Sequence, residues 1–219
     1  MLREHRPGRA AAALLALLLA GATSLAGCDA AADTARPVGR GHEADDVAAT
    51  RAPAGVPGEA PHHLQRQGLT LADGEVPAGT TVFDDSVPAV AKLDPGLLAA
   101  LREAAAAAEH DGLQLEVNSG WRSIAYQREL FEQAITTYGS EADAARWVAR
   151  PGTSVHEAGD AVDLGPAEAT AWLAEHGAAY GLCRIYANEA WHFELRPAAV
   201  TDGCPAMYAD ADDDPRLQQ

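Results

Sequence analysis

Apolar and polar positions divide the chain into four zones. An apolar run covers Ala10 to Leu25, and Asp29 to about Gln67 has no periodicity at all. Periodic segments fill the stretch from Leu69 to Cys204, and the last residues are acidic. Within the third zone, Thr80-Thr81-Val82-Phe83 predicts a short strand. Asp94 as N-cap and Pro95 in the first turn open a helix that runs through Leu97, Leu98 and Leu101 to about Glu109, with Asp111-Gly112 ending it. Leu113 to Val117 alternates and predicts a strand with one covered face. Helices follow over Ser123–Tyr138, with Leu130, Phe131 and Ile135 on the buried side, and over Glu141–Arg150, with Ala144, Trp147 and Val148. Pro151-Gly152 breaks the pattern. Ala161 to Leu164 reads as a buried strand, and Pro166 starts a helix reaching about Tyr180 with Trp172 and Leu173 inward. Two further strands are predicted at Arg184–Tyr186 and Trp191–Leu195. Alternation in the second sends His192 and Glu194 to one face, and Trp191, Phe193 and Leu195 to the other. There are no internal repeats and no regular βαβ order. The expected class is α+β, an antiparallel sheet with helices packed on one side.

Composition changes this picture mainly at the ends. Arg3, Arg6 and Arg9 precede the apolar run, and small residues follow it, the layout of a secretory signal over residues 1–27. The run is shorter than the ~20 residues a membrane-spanning helix needs. Leu25-Ala26-Gly27-Cys28 resembles the bacterial lipobox, in which the cysteine is lipidated and becomes the mature N-terminus. The expectation is a domain anchored by Cys28 to the outer face of the cell membrane and facing the cell wall. Residues 28–67, with Pro37, Pro53, Pro57 and Pro61 and few large apolar residues, have the composition of a disordered tether. The formal net charge is −16, and residues 1–27 carry three Arg and one Glu, so the remainder stands at −16 − 2 = −18. No basic patch is available, which argues against nucleic acid as a partner. Residues 205–219, with Asp210, Asp212, Asp213 and Asp214, lack the glycine and the bidentate Glu of an EF-hand loop and read as a solvated acidic tail.

One stretch carries the chemistry. In Ser154-Val155-His156-Glu157-Ala158-Gly159-Asp160-Ala161-Val162-Asp163 a histidine and a carboxylate stand seven positions apart, and His192 follows on the last strand. Two imidazoles and one carboxylate are a ligand set that catalytic zinc prefers, leaving a position for water. The adjacent His156-Glu157 is not a zincin helix, which needs a second His four residues on, where this chain has Asp160. His42, His62 and His63 fall in the tether and His176 at a helix end; none is assigned a role. With Cys28 used as an anchor, Cys183 and Cys204 remain, and an even pair in an exported chain reads as a disulfide.

The full pattern, Ser-x-His-x-x-Gly-x-Ala-x-Asp at 154–163 followed by Glu-x-x-His at 189–192, resembles the signature of the VanY-like D-Ala-D-Ala metallopeptidases. These are grouped with lysostaphin-type enzymes and hedgehog domains in one zinc fold. A second matching segment is Ser119-Gly120-Trp121-Arg122-Ser123, with Gln127 four residues beyond. The resemblance implies a domain over 68–204 with one Zn²⁺ per chain on His156, Asp163 and His192. It further implies Glu189 as general base, Arg122 as oxyanion stabiliser, and Ser119, Gln127 and Ser154 toward the substrate. The implied activity is removal of the terminal D-Ala from peptidoglycan stem peptides by a monomeric enzyme. Endopeptidase or D,D-dipeptidase action, or a zinc-stabilised cell-wall binding module without catalysis, are the alternatives. Two positions depart from close relatives: Ala190 stands where proline is common, and Glu194 where an arginine is common.

Overall fold

The computed structural model describes residues 68–218. The expected signal at 1–27, the lipidated Cys28 and the tether over 28–67 lie outside the described residues. The helices are α1 (Pro88–Ala91), α2 (Pro95–His110), α3 (Ile124–Tyr138), α4 (Glu141–Ala145), α5 (Val155–Ala158), α6 (Ala167–His176) and α7 (Ala199–Asp202). The strands are β1 (Glu116–Ser119), β2 (Ala161–Gly165), β3 (Leu182–Arg184) and β4 (His192–Leu195). They form one antiparallel sheet in the order β1-β2-β4-β3.

Helix α2 starts where its cap dictates. Asp94 Oδ1 accepts from the backbone N–H of Gly96 (2.8 Å) and Leu97 (3.0 Å), and Pro95 occupies the first turn. Its buried positions, Leu97, Leu101, Ala104, Ala105 and Ala108, form the stripe that a helix covering a sheet requires. This stripe packs with Ala169 and Leu173 of α6 against Val117, Val162, Leu164, Leu182 and Phe193 of the strands in a single apolar core. Residues of opposite parity in β2 and β4, Asp163, His192 and Glu194, project from the other face of the sheet. One face therefore supplies stability and the other chemistry, and the class is α+β with an antiparallel sheet.

Register completes the arrangement. Val117 pairs with Leu164, both of them core residues, but an irregularity in β1 then makes Ser119 rather than Asn118 the partner of Asp163. Asp163 in turn pairs with His192. Ser119, Asp163 and His192 thus lie in one row across three strands.

Several predicted elements differ. Thr80–Phe83 makes only one bridge, Thr81 to Glu116, because the backbone N–H and hydroxyl of Thr81 both bond the Asp84 carboxylate and turn the chain. The first strand begins at Glu116 and not Leu113, since the Leu113 N–H closes the end of α2 on Ala108 C=O. The helix expected over Glu141–Arg150 stops at Ala145. Beyond it Trp147 turns to stack on Tyr138, with ring centroids 5.7 Å apart. The helix from Ala167 becomes a 3-10 turn at Gly177–Tyr180.

The largest correction concerns residues 205–219, expected as a solvated tail. Asp210, Ala211 and Asp214 are buried, and Tyr208 bridges to Tyr186. Arg146 binds Asp210 (2.7 Å), Arg150 binds Asp212 (2.9 Å), and Arg216 binds Asp214. Arg146 and Arg150, distant in sequence, and Arg216 within the run itself turn what reads as a repelling acidic run into a docked segment.

Cys183 and Cys204 form a disulfide, with 2.00 Å between the sulfurs. The bridge closes a loop of sequence separation 21 that contains Glu189 and His192. A loop of this size corresponds to about 3 kcal/mol in the chain-entropy account. Cys204→Ser should lower the unfolding free energy by that order, read from urea unfolding against the oxidised parent. Coincident unfolding curves would show that the bridge contributes nothing.

Candidate metal centre

His156 occupies the single-turn helix α5. The Ser154 hydroxyl caps this turn by accepting from the His156 N–H (3.3 Å), and Gly159 ends it at φ +82°. A Cβ on Gly159 would lie 2.3 Å from the carbonyl oxygen of Lys92, so only glycine lets the loop sit against the start of α2. There the Gly159 carbonyl accepts from the Asp94 N–H (2.9 Å). The ring is aimed by its Nδ1, 2.8 Å from the Gly120 carbonyl oxygen. A proton on Nδ1 donates to that carbonyl and leaves the Nε2 lone pair facing the sheet.

Nε2 of His156 meets two other donor atoms there. It lies 3.3 Å from His192 Nδ1 and 3.4 Å from Asp163 Oδ1, and those two atoms are 3.2 Å apart. Glu194, missing from the sequence-based site, explains the orientation of the second ring: its Oε1 is 3.2 Å from His192 Nε2. Donation from Nε2–H to that carboxylate leaves Nδ1 as a lone pair. All three residues are buried. A zinc ion about 2.0–2.1 Å from each of three tetrahedral ligands sets those ligands about 3.3–3.4 Å apart. The donor set and its spacing fit such an ion.

The electrostatics agree with this geometry. Burial and then Arg122 lower the pKa of His156, keeping it neutral as a ligand must be. Burial disfavours the Asp163 anion, yet His156, His192 and Arg122 together hold its pKa well below the ordinary range. Burial also opposes charge on His192, but the Asp163 and Glu194 carboxylates outweigh it and raise its pKa to about 10. In the absence of a metal, those anions recruit a proton to the same point where a cation fits.

Glu189, in the turn before β4, is buried with its Oε2 3.7 Å from His192 Nδ1. Burial pushes its carboxyl up to about 8, against the pull of His192 and Arg122. It is the carboxylate beside the cluster that binds neither Arg122 nor a histidine at hydrogen-bond distance.

Arg122 donates from Nη2 to Asp163 Oδ2 (2.8 Å), from Nε to Ser119 Oγ (2.8 Å) and from Nη1 to Gln127 Oε1 (3.0 Å). Three of its five N–H groups are therefore committed to the protein. Gln127, expected toward the substrate, is one of these partners. That side chain is fully buried, and its Nε2 donates to the Ala149 carbonyl (2.7 Å), so it supports Arg122 from below. Ser119 likewise holds Arg122, and Ser154 serves as the cap of α5. Glu194 had a visible signal, its position two residues from His192 on one strand face, but that parity identifies no partner.

Residues 90–197 match the family described as VanY: D-alanyl-D-alanine carboxypeptidase. The stretch around this cluster thus belongs to that family. Its family is that of the VanY-like D-alanyl-D-alanine carboxypeptidases. The chain is also similar to a D-alanyl-D-alanine carboxypeptidase of Enterococcus faecalis, 32% identical over a 112-residue alignment that covers 40% of this chain and 42% of that protein. It spans less than half the length of that relative. Among solved structures it is similar to a variant of the vancomycin-resistance D,D-pentapeptidase VanY in complex with Zn(II). The identity there is 28%, covering 52% of this chain and 80% of that one, with a TM-score of 0.49. It is also similar to VanYB in complex with D-Alanine-D-Alanine, at 30% identity over 49% and 74% of the two chains and a TM-score of 0.47.

Proposed function

We propose that the protein is a zinc-dependent D-alanyl-D-alanine carboxypeptidase that removes the terminal D-Ala from peptidoglycan stem peptides. The observation that carries this reading is the set of His156 Nε2, Asp163 Oδ1 and His192 Nδ1 at tetrahedral spacing with the Glu189 carboxylate beside it. Bound zinc supplies Lewis acidity and brings the pKa of a water toward about 7. Glu189 stands where it can take the proton of the attacking water and return it to the leaving amine of D-Ala. The two N–H groups of Arg122 with no partner among the described residues are the donors available to negative charge developing on the scissile carbonyl oxygen. Ser119 and Gln127 fix the guanidinium in place, and Asp163 joins it to the metal ligands. A binding module needs a cation site but no buried carboxylate next to it, so Glu189 favours the enzyme.

The test is product analysis after incubation with a muramyl pentapeptide. Release of one D-Ala per stem is expected, with weaker action on free D-Ala-D-Ala. Efficient cleavage of the free dipeptide with the pentapeptide untouched would make this a dipeptidase. Scission of an internal cross-link without D-Ala release would make it an endopeptidase.

A further inference from the structure

The family match ends at residue 197, but the described chain continues and returns to the metal centre from behind. Glu194 is fully buried beneath His192. Arg216, near the C-terminus, grips both of its oxygens: Nη1 donates to Oε2 (2.7 Å) and Nη2 to Oε1, the atom facing His192 (3.1 Å). Arg196 also donates to Oε2. The Arg216 Nε donates to both oxygens of Asp214, each at 3.0 Å. Asp214 is fully buried and accepts a further bond from the Tyr186 hydroxyl (3.0 Å). The Tyr186 ring in turn lies against His192, with centroids 4.8 Å apart.

These contacts close a circuit, His192–Glu194–Arg216–Asp214–Tyr186, that returns to the same imidazole. Glu194 fixes the ring edge through Nε2, and Tyr186 fixes its face. Two carboxylates, Glu194 and Asp214, face two guanidiniums, Arg196 and Arg216, so the network is balanced in charge. It can keep an anion against His192 without leaving that anion unpaired in the interior. A ligand histidine whose second nitrogen is held by a carboxylate is fixed in tautomer and direction, and loss of such a partner typically weakens metal binding about 10- to 100-fold.

We propose that Arg216, held by Asp214 and acting through Glu194, is a positioning residue for His192, so that the C-terminal segment is part of the metal centre. The inference rests on the zinc reading of that centre. It is tested on the full chain by zinc affinity in chelator competition and by the visible absorption of the Co(II)-substituted protein. Arg216→Ala should bind zinc about 10- to 100-fold more weakly and shift the Co(II) bands. Arg150→Ala, which removes a pair holding the same segment through Asp212, should leave both at the parental values. Should Arg216→Ala fail to fold, Arg216→Met keeps the aliphatic stem, removes only the fork, and carries the test. Parental affinity and spectrum in a folded Arg216 variant would overturn the proposal. An equal loss in Arg150→Ala would also overturn it, because docking of the segment alone would then explain the effect. A parent chain that takes up no zinc would instead overturn the reading of the centre itself.

Discussion

Glu189→Gln is expected to retain zinc near the parental stoichiometry while slowing D-Ala release by at least about 100-fold and up to about 10,000-fold. The amide has nearly the shape of the carboxylate, so the turn before β4 and the three donor atoms keep their places. What it lacks is the ability to accept a proton from the attacking water. The nearby carboxylates are committed elsewhere. Asp163 has one oxygen in the cluster and the other on Arg122, and Glu194 lies on the far side of the His192 ring. Neither can replace Glu189 without abandoning its partner. Metal content and turnover measured on one preparation separate the two effects. Near-parental turnover in the zinc-loaded variant would assign the base elsewhere.

The sequence was most informative where a local rule had no competitor. The Asp94-Pro95 start of α2, the Ser123 start of α3 and the alternation of β4 all appear as expected, because caps and parity are settled within a few residues. The disulfide followed from a count of two. Elements decided by distant partners were harder to read. Leu113 has strand character but completes a helix end, and the helix at 141 stops at Ala145, where Arg146 reaches Asp210 and Ala149 receives Gln127. The acidic residues after 204 look repulsive until Arg146 and Arg150 from elsewhere, and Arg216 from the same segment, are placed beside them. At the site, the ligand types and their spacing were legible, whereas the support was not. Gln127 lies under Arg122, and Glu194 lies behind His192. Such roles depend on what another segment of chain brings to the same point, and no spacing within one segment encodes that.

Asp163→Ala should have the largest effect of any single change, since this residue is shared between two systems. One oxygen faces His156 and His192, and the other accepts from Arg122 across a pair in which both side chains are buried. Removing the carboxylate deletes the only anionic donor of the cluster and leaves the Arg122 guanidinium without its counter-ion. The first loss should take zinc from about one per chain to near zero in dialysed protein, and D-Ala release should go with it. The second is expected to cost stability of about 3–5 kcal/mol, as for other buried pairs broken on one side. His156→Ala and His192→Ala make the comparison decisive, because they remove a donor and leave the Arg122–Asp163 pair intact. They should match Asp163→Ala in lost zinc and lost turnover but unfold at higher denaturant. Elemental analysis and urea unfolding on the three variants read both effects. Stoichiometric zinc in a folded His192→Ala chain would remove that residue from the ligand set. Equal stability of Asp163→Ala and the histidine variants would mean that Arg122 finds another partner when Asp163 is gone.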